Sequence, residues 1–418
     1  MASAKSQQLN ALPPLRRGAG RVSVRGCPVC SATACEVLHS QQFVLPEGHP
    51  VAAGYDVVCC EQCGFVYADT MVSQRDYDAF YARLSKYEDN QTSTGGGNSP
   101  EDAERLRETA ACLAEALPDR SVRLLDIGCA NGGLLKALRD LGYTTLAGMD
   151  PSPACVKATR QLCQCDAFAG FLSSLPAGIG QFDGLILSHV FEHVQDLASA
   201  LSNVRKLMKP GALAYLEVPD AARYAECLVA PFQDFNTEHI NHFSLHGLRQ
   251  LCKHYGLRAQ ASGAKTLWAG PRMPYPAIYS FFSLDSSSPA FAAWKKDPEL
   301  RQKIGDYIRA SRQMMDNIDF KLQAMLEDSP EVIVWGTGQL VMKLLSETCL
   351  GQAAIVAFVD GNPVNHGKML LGRPILAPSQ IRHLSQPIVV TSILHGSEIA
   401  RGIRDQQKLT NPILLLNN

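Results

Sequence analysis

Two C-x2-C pairs, Cys27-Pro-Val-Cys30 and Cys60-Glu-Gln-Cys63, stand near the start of this 418-residue chain. Four thiolates delivered by two tight turns suit a tetrahedral zinc ion. A shell closed by four sulfurs leaves no position for water, so such a metal stabilises a fold and performs no reaction. Cys35 and Cys59 do not share the spacing and stay outside the set; the bland alternative for the pairs is buried thiol. Further on, Leu124-Leu-Asp126-Ile-Gly128-Cys-Ala-Asn131-Gly132-Gly133 reads as a strand entering a glycine turn and then a helix. Glycines let backbone approach a ligand at the C-terminal edge of a parallel sheet. Asp150 closes the next strand, at the distance where a carboxylate accepts both hydroxyls of a ribose. The turn is D-x-G-x-x-x-G and not G-x-G-x-x-G, and an acid at the strand end repels the pyrophosphate of a dinucleotide. A third group, Phe235-Asn-Thr-Glu238-His239-Ile-Asn241-His242-Phe-Ser244, crowds imidazoles beside a carboxylate. A histidine near neutrality can move a proton, and an adjacent carboxylate can orient it or bind substrate. The structural alternative is a helix start over Leu245–Tyr255, capped by Ser244.

The elements around these residues alternate. A helix over Glu101–Ala116 precedes strand Val122–Asp126 and helix Leu134–Leu141. Strand Thr144–Met149 and a helix over 153–164 follow, then strand Phe182–Leu187, a helix over 197–208 and strand Ala212–Val218. This rhythm predicts an α/β fold, a parallel sheet covered on both faces. Residues 1–24 read as a flexible tail, and 25–94 as a zinc-binding module with a substrate-lid segment. The ligand-binding core covers 95–269. Residues 270–329 read as a connector, proline- and aromatic-rich and then helical from about Pro298 to Leu326. The α/β rhythm restarts over 330–418 with Val332–Trp335, a Gly336-Thr-Gly338 turn, and a strand ending at Asp360. Val341 occupies the third glycine position of a dinucleotide fingerprint, so a wall or pseudo-Rossmann role outweighs redox cofactor binding there.

Composition sets the outer limits. Lys plus Arg total 39 against 40 Asp plus Glu, a net charge of -1, which argues against a nucleic-acid surface. Hydrophobic residues make up 46% of the chain, ample for folded cores. No apolar run approaches the length needed to cross a bilayer, and the N-terminus lacks the apolar core of a secretion signal. With 14 cysteines and no such signal, the expectation is a soluble, cytoplasmic protein with mostly reduced thiols.

The run D-I-G-C-A-N-G-G with a downstream acid resembles the first motif of class I S-adenosylmethionine-dependent methyltransferases. Phe182-Asp-Gly-Leu-Ile-Leu-Ser188-His189-Val-Phe-Glu192-His193 is similar to that family's fourth strand and following turn. Met208-Lys-Pro-Gly-Ala-Leu is similar to its turn before the fifth strand. The resemblance implies a central Rossmann-like domain that binds S-adenosylmethionine through Asp126, Gly128, Asn131, Gly132, Asp150, Ser188 and His189. The order of parts, a four-cysteine zinc module, this core with an E-H-x-x-x-F-S segment and a C-terminal Rossmann-like α/β domain, further resembles the sugar C-methyltransferases of deoxysugar pathways. That kinship implies a nucleotide-linked keto-sugar as substrate, with His239 as the base that forms an enolate and Glu238 and Tyr87 beside it. Tyr81 is a second tyrosine of this kind. Two departures stand in the substrate region: Asn236 replaces an aromatic hydroxyl, and Lys86-Tyr-Glu-Asp-Asn-Gln replaces a compact Tyr-Ser-Gly element. O-methylation of a sugar or another small hydroxylated metabolite is the alternative chemistry, and a non-catalytic scaffold protein the alternative class.

Overall fold

The computed structural model describes residues 21–49, 51–83, 95–268, 270, 273–285 and 293–417. The first elements are β1 (Arg21–Val22), β2 (Ala34–Gln42), β3 (Gly54–Cys60), β4 (Val66–Asp69) and α1 (Gln74–Arg83). The four strands form an antiparallel sheet in chain order. Along β3 and β4 successive residues face opposite ways. Val58, Cys60 and Tyr67 join the core under the central sheet, while Val57, Cys59, Val66 and Ala68 join a second core shared with the C-terminal half. Both C-x2-C runs are turns: Ser31 N donates to Cys27 O, and Gly64 N to Cys60 O. Cys59 points away from the cluster into the second core, so its exclusion from the ligand set follows from strand alternation. The expected flexible tail over 1–24 is corrected at its end. Arg21 and Val22 pair with β2, and the Val24 and Arg25 amides donate to the Asp69 carboxylate.

Next come α2 (Pro100–Ala116), β5 (Arg123–Ile127), α3 (Gly133–Asp140), β6 (Thr145–Asp150), α4 (Pro153–Cys163), β7 (Asp166–Ala169), β8 (Phe182–Ser188), α5 (Leu197–Leu207) and β9 (Met208–Pro219). Helix α2 starts where its sequence says it should: Ser99 accepts from Asp102 N, Pro100 takes the first turn, and acids follow. Strands β5 to β9 are parallel and nearly continuous in apolar residues, because helices cover both faces. β10 (Asn241–His242), α6 (Leu245–His254), β11 (Leu257–Trp268) and β12 (Pro274–Leu284) complete this half. The central sheet runs β11-β12-β9-β8-β5-β6-β7, with β12 antiparallel to both neighbours.

The start of the expected connector at 270–329 is therefore different from the expectation. Pro274–Leu284 is an inner strand of the central sheet. Its prolines sit at the strand's beginning, where a missing N–H is tolerated. Its burial on both faces removes the period-2 alternation that would have announced it. The long helix follows as α7 (Leu300–Asp328), buried along Leu300, Ile304, Tyr307, Ser311, Met315, Ile318 and Leu322.

The last third holds β13 (Glu331–Trp335), α8 (Gln339–Glu347), β14 (Ala354–Val359), β15 (Met369–Leu370), β16 (Arg373–Leu376), β17 (Ile388–Val390), α9 (Gly396–Asp405) and β18 (Ile413–Leu415). Its sheet order is β15-β16-β14-β13-β17-β18, parallel except for β15. Val341 is buried in α8 among the residues of the second core. Asp360 accepts from Thr337 N (3.0 Å), Thr337 Oγ1, Asn365 Nδ2 (3.1 Å) and Asn362 N (2.8 Å). Its carboxylate is spent on the chain's own turn. No described helix is long and apolar enough to cross a membrane.

The two-residue strand β10 joins the N-terminal sheet and not the central one, with Asn241 opposite Tyr67 and His242 opposite Val66. Asn241 is 1% exposed, and its Nδ2 donates to the carbonyls of Phe191 (2.8 Å) and Val194 (2.6 Å), while Oδ1 accepts from Arg25. Replacing Asn241 with Leu takes its donor from the Val194 carbonyl and leaves the Phe191 carbonyl only its bond from Val194 N, and a buried acceptor left without a partner costs about 1–3 kcal/mol. A clearly lowered melting temperature is the expected result, and an unchanged one would mean that other donors take over.

Candidate functional site

At the centre of the main sheet the chain reverses direction. From β5 it proceeds outward to β6 and β7, then returns to place β8 on the other flank of β5. A crevice opens at such a switch point, beyond the C-terminal ends of the strands. Here it is a cleft of about 360 Å³, lined by Ile127, Gly128 and Ala130 after β5, Met149, Asp150 and Pro151 after β6, Gly170–Ser173 after β7, and Ser188, His189 and Val190 after β8. That volume falls within the range of small-molecule sites.

The glycine turn is shaped for close approach. Gly128 has φ +77°, and a Cβ there would lie 2.8 Å from Val190 Cγ2. Gly132 has φ +85° as the residue preceding α3, and a Cβ there would press on Thr159 and Cys163. Thr159 Oγ1 donates to Ala130 O (2.9 Å), and Ala130 N to Asp150 Oδ2 (2.9 Å). Asp150 Oδ1 accepts from Ser152 N (2.9 Å). Asp150 lines the cleft. Asp126 is only 3% exposed and lies behind the wall, as do the buried Asn131 and Gly132. Burial first, and the Asp150 charge second, push the Asp126 carboxyl up to about 8. The Asp126 carboxyl, expected to hold a ligand, is thus buried in this structure and not among the residues lining the cleft.

Ser188 and His189 end β8 above a buried charge network. Ser188 Oγ donates to Glu217 Oε1 (3.0 Å). The His189 ring lies between Glu192 (Nδ1 to Oε1, 3.1 Å) and Glu217 (Nε2 to Oε1, 3.2 Å). Glu217 also receives Tyr215 OH and the Lys265 ammonium. Burial alone would depress the imidazole, but the two carboxylates outweigh it and hold His189 near about 9. Burial alone would raise Glu217, but His189 and Lys265 keep it well below the usual carboxylate range. Glu217, Lys265 and Tyr215 were not singled out from sequence. A lone acid in the apolar run Ala214-Tyr-Leu-Glu-Val218 was the available signal.

The segment between β9 and β10 brings the candidate proton-moving group. Asn236 Oδ1 accepts from both Glu238 N and His239 N (2.8 Å each), a side-chain turn that sets their direction. This is the work Asn236 does where an aromatic hydroxyl was expected. His239 lines the cleft, with its ring 4.9 Å from that of His193 at 71°. His193 Nδ1 lies 2.9 Å from Tyr81 OH and 3.1 Å from Glu238 O. His193 stood in the family-like run but was not assigned a role. The Glu238 carboxylate is not on the cleft wall; its charge acts on His49 and Tyr77. Tyr81 lines the cleft, whereas Tyr87 lies outside the described residues.

Among the described residues, two groups bring metal-ligating atoms within 4.8 Å of one another: Cys27, Cys30, Cys60 and Cys63, and Glu192, His193 and His239. In the first, Cys27 and Cys63 Sγ are 3.6 Å apart, and Cys30 and Cys60 Sγ 3.4 Å. These are far beyond a disulfide bond of about 2.05 Å and close to the roughly 3.8 Å edge of a tetrahedron with Zn–S bonds of about 2.3 Å.

Residues 74–262 match the family model of the methyltransferase domain. The ubiquinone biosynthesis O-methyltransferase of Caulobacter vibrioides is 27% identical over 164 residues, 38% of this chain and 64% of its own length. That of Cereibacter sphaeroides is 33% identical over 106 residues, 24% of this chain and 42% of its own. The 24-methylenesterol C-methyltransferase 2 of Oryza sativa subsp. japonica is 27% identical over 172 residues, 39% of this chain and 44% of its own length. The chain thus spans less than two thirds of each of these relatives. Among solved structures, the Burkholderia thailandensis 1,6-didemethyltoxoflavin-N1-methyltransferase with S-adenosylhomocysteine has 16% identity and a TM-score of 0.41, covering 53% of this chain and 95% of that one. The similarity thus lies in the middle of the chain, over the residues that match the methyltransferase domain.

His189 gives this wall a pH signature. Its folded value is raised, so its contribution to stability is complete below the ordinary imidazole range near 6.5 and is lost as pH rises through about 9. The melting-temperature gap between the native protein and His189→Asn is expected to narrow from about pH 6 to about pH 10. A constant gap would show that the two carboxylates do not hold that proton.

Proposed function

We propose that this protein transfers a methyl group from S-adenosylmethionine to carbon in a nucleotide-linked keto-sugar, with His239 as the base. The observation that carries the proposal is a shared cleft: His239 opens onto the same cavity as Gly128 and Asp150. The residues fit the cofactor. Asp150 ends β6 on the cleft wall, where a carboxylate can accept from ribose hydroxyls, and the glycine at 128 leaves room that a Cβ would take from Val190. Asp126, Asn131 and Gly132 support this turn from behind, and Ser188 and His189 close its far side. When bound, S-adenosylmethionine supplies an electrophilic methyl group on its sulfonium. The protein's task is then alignment and removal of one proton from the carbon beside the ketone.

His239 suits that task because Asn236 fixes its backbone and His193 packs against its ring. Glu238 supports from behind, its carbonyl accepting from His193. The C-terminal domain contributes through Gln339, which donates to Thr237 Oγ1 (2.9 Å), and we assign to it a share of the wall for the nucleotide part of the substrate. The four cysteines hold a structural zinc ion that fixes the turns flanking β2 and β3.

A second reading, methylation at oxygen, draws support from the similarity to the two O-methyltransferases, while the similarity to the sterol enzyme favours carbon. In the O-methylation reading the same imidazole takes a hydroxyl proton. Product NMR separates them by a carbon-bound methyl or a methoxy signal.

His239→Asn is expected to lower turnover by about 10²–10⁴-fold and leave S-adenosylhomocysteine binding intact. Asp150→Asn should weaken that binding by about 10- to 100-fold. Full turnover in the His239 variant would remove the base, and unaltered binding in the Asp150 variant would remove the ribose contact. Metal analysis should find zinc in the purified protein at the cysteine site, lost in Cys60→Ser; retention of all zinc in that variant would refute the assignment.

A further inference from the structure

Strand β11 is the outer edge of the central sheet, and its last residue, Trp268, stands opposite Pro274, the first residue of β12. Leu267 before it is 1% exposed, whereas Trp268 is 51% exposed and yet lines the cleft. This end of the strand pair is firmly footed. The Arg223 guanidinium donates to Thr266 Oγ1 (3.0 Å) and to Lys265 O (3.4 Å), and Asp220 N donates to Pro276 O (2.9 Å). Tyr275, next to Pro274 on β12, holds its ring 5.5 Å from that of His189. An indole on a fixed arm, half open to water at the wall of a cavity, keeps a large apolar face for whatever fills that cavity.

The strand order separates the two ligands of the cleft. β11 lies five strand spacings from β6, on the other flank of the switch point from Asp150. At roughly 4.8 Å per spacing, the roots of the two strands stand about 24 Å apart. An aromatic face at the end of β11 therefore serves the acceptor and not the ribose held beside Asp150, and it serves the end of the acceptor remote from the transferred methyl. We propose that Trp268 is the platform on which the nucleobase of the nucleotide-linked acceptor stacks. This rests on the function proposed above, in which the base is the flat ring remote from the reacting carbon. Every nucleobase has a π face for an aromatic side chain to cover, so the platform supplies affinity and orientation without choosing between bases.

Calorimetric titration of uridine diphosphate and thymidine diphosphate into the protein with S-adenosylhomocysteine bound tests this. Trp268→Ala is expected to weaken both nucleotides by about 5- to 150-fold and to leave the affinity for S-adenosylhomocysteine unchanged. Trp268→Phe, which keeps a flat ring, should recover most of the loss. Native affinity for both nucleotides in Trp268→Ala, no recovery in Trp268→Phe, or an equal loss of S-adenosylhomocysteine affinity overturns the platform and leaves the nucleotide-linked reading standing. If the native protein binds S-adenosylhomocysteine but neither nucleotide, the nucleotide-linked reading is overturned and the platform falls with it.

Discussion

Residues 228–240, which carry the candidate base, have no sheet or helix of their own to satisfy their backbone, and this constraint organises the molecule. Buried amides and carbonyls must find partners, and those that local turns leave over find them elsewhere in the chain. Gln41 on β2 donates to Phe235 O and Tyr55 on β3 to Asn236 O, while Gln339 on α8 holds the Thr237 side chain at its Oγ1. The Phe232 ring is stacked by His39 and covered by the Lys343 ammonium, 4.2 Å from its centroid. Lys343 in turn is held by Gln41 (2.8 Å) and Glu347 (2.6 Å). A loop fixed from both sides in this way delivers His239 without a rigid element beneath it, and the first and last thirds of the chain take part in the cleft without lining most of it.

The wall formed after β8 obeys a different rule. Glu192 and Glu217 are both buried, and such charges are tolerable only when cations and donors compensate them. His189 and Lys265 supply the positive charge, Tyr215 and Ser188 the hydrogen bonds. The result is a fixed set of dipoles and charges beside the cavity that needs no rearrangement when a ligand arrives. Polar strength is bought here in the middle of otherwise apolar strands, where a misplaced partner would be most costly.

Much of this was legible in the residues. The glycine turn, the strand-end acid at 150, the cap at Ser244 and the spacing of the four cysteines each encode a local geometry, and local geometry survives tertiary context. What escaped depended on neighbours. β12 looks like a proline-rich linker because a strand buried on both faces has no alternation, and Lys265 went unread because the strand carrying it, β11, did. The burial of Asp126 escaped for a related reason: its type and position in the motif say nothing of how deeply the packed turn encloses it. His193 and Tyr81 meet across 112 residues of chain, a separation no motif records.

Helix α7 lends the same apolar stripe to both the N-terminal sheet and the C-terminal β-strands, since Leu300, Tyr307, Met315 and Leu322 share one core with Val57, Phe235, Val334 and Leu344. The last third is consequently not a detachable cassette. Recombination between related chains, in a laboratory or a genome, would have to cut upstream of residue 300 and carry the helix along with the strands it shelters. A graft made at the tidier border near residue 330 would inherit a mismatched seam, and the harm would surface first in the loop that presents His239.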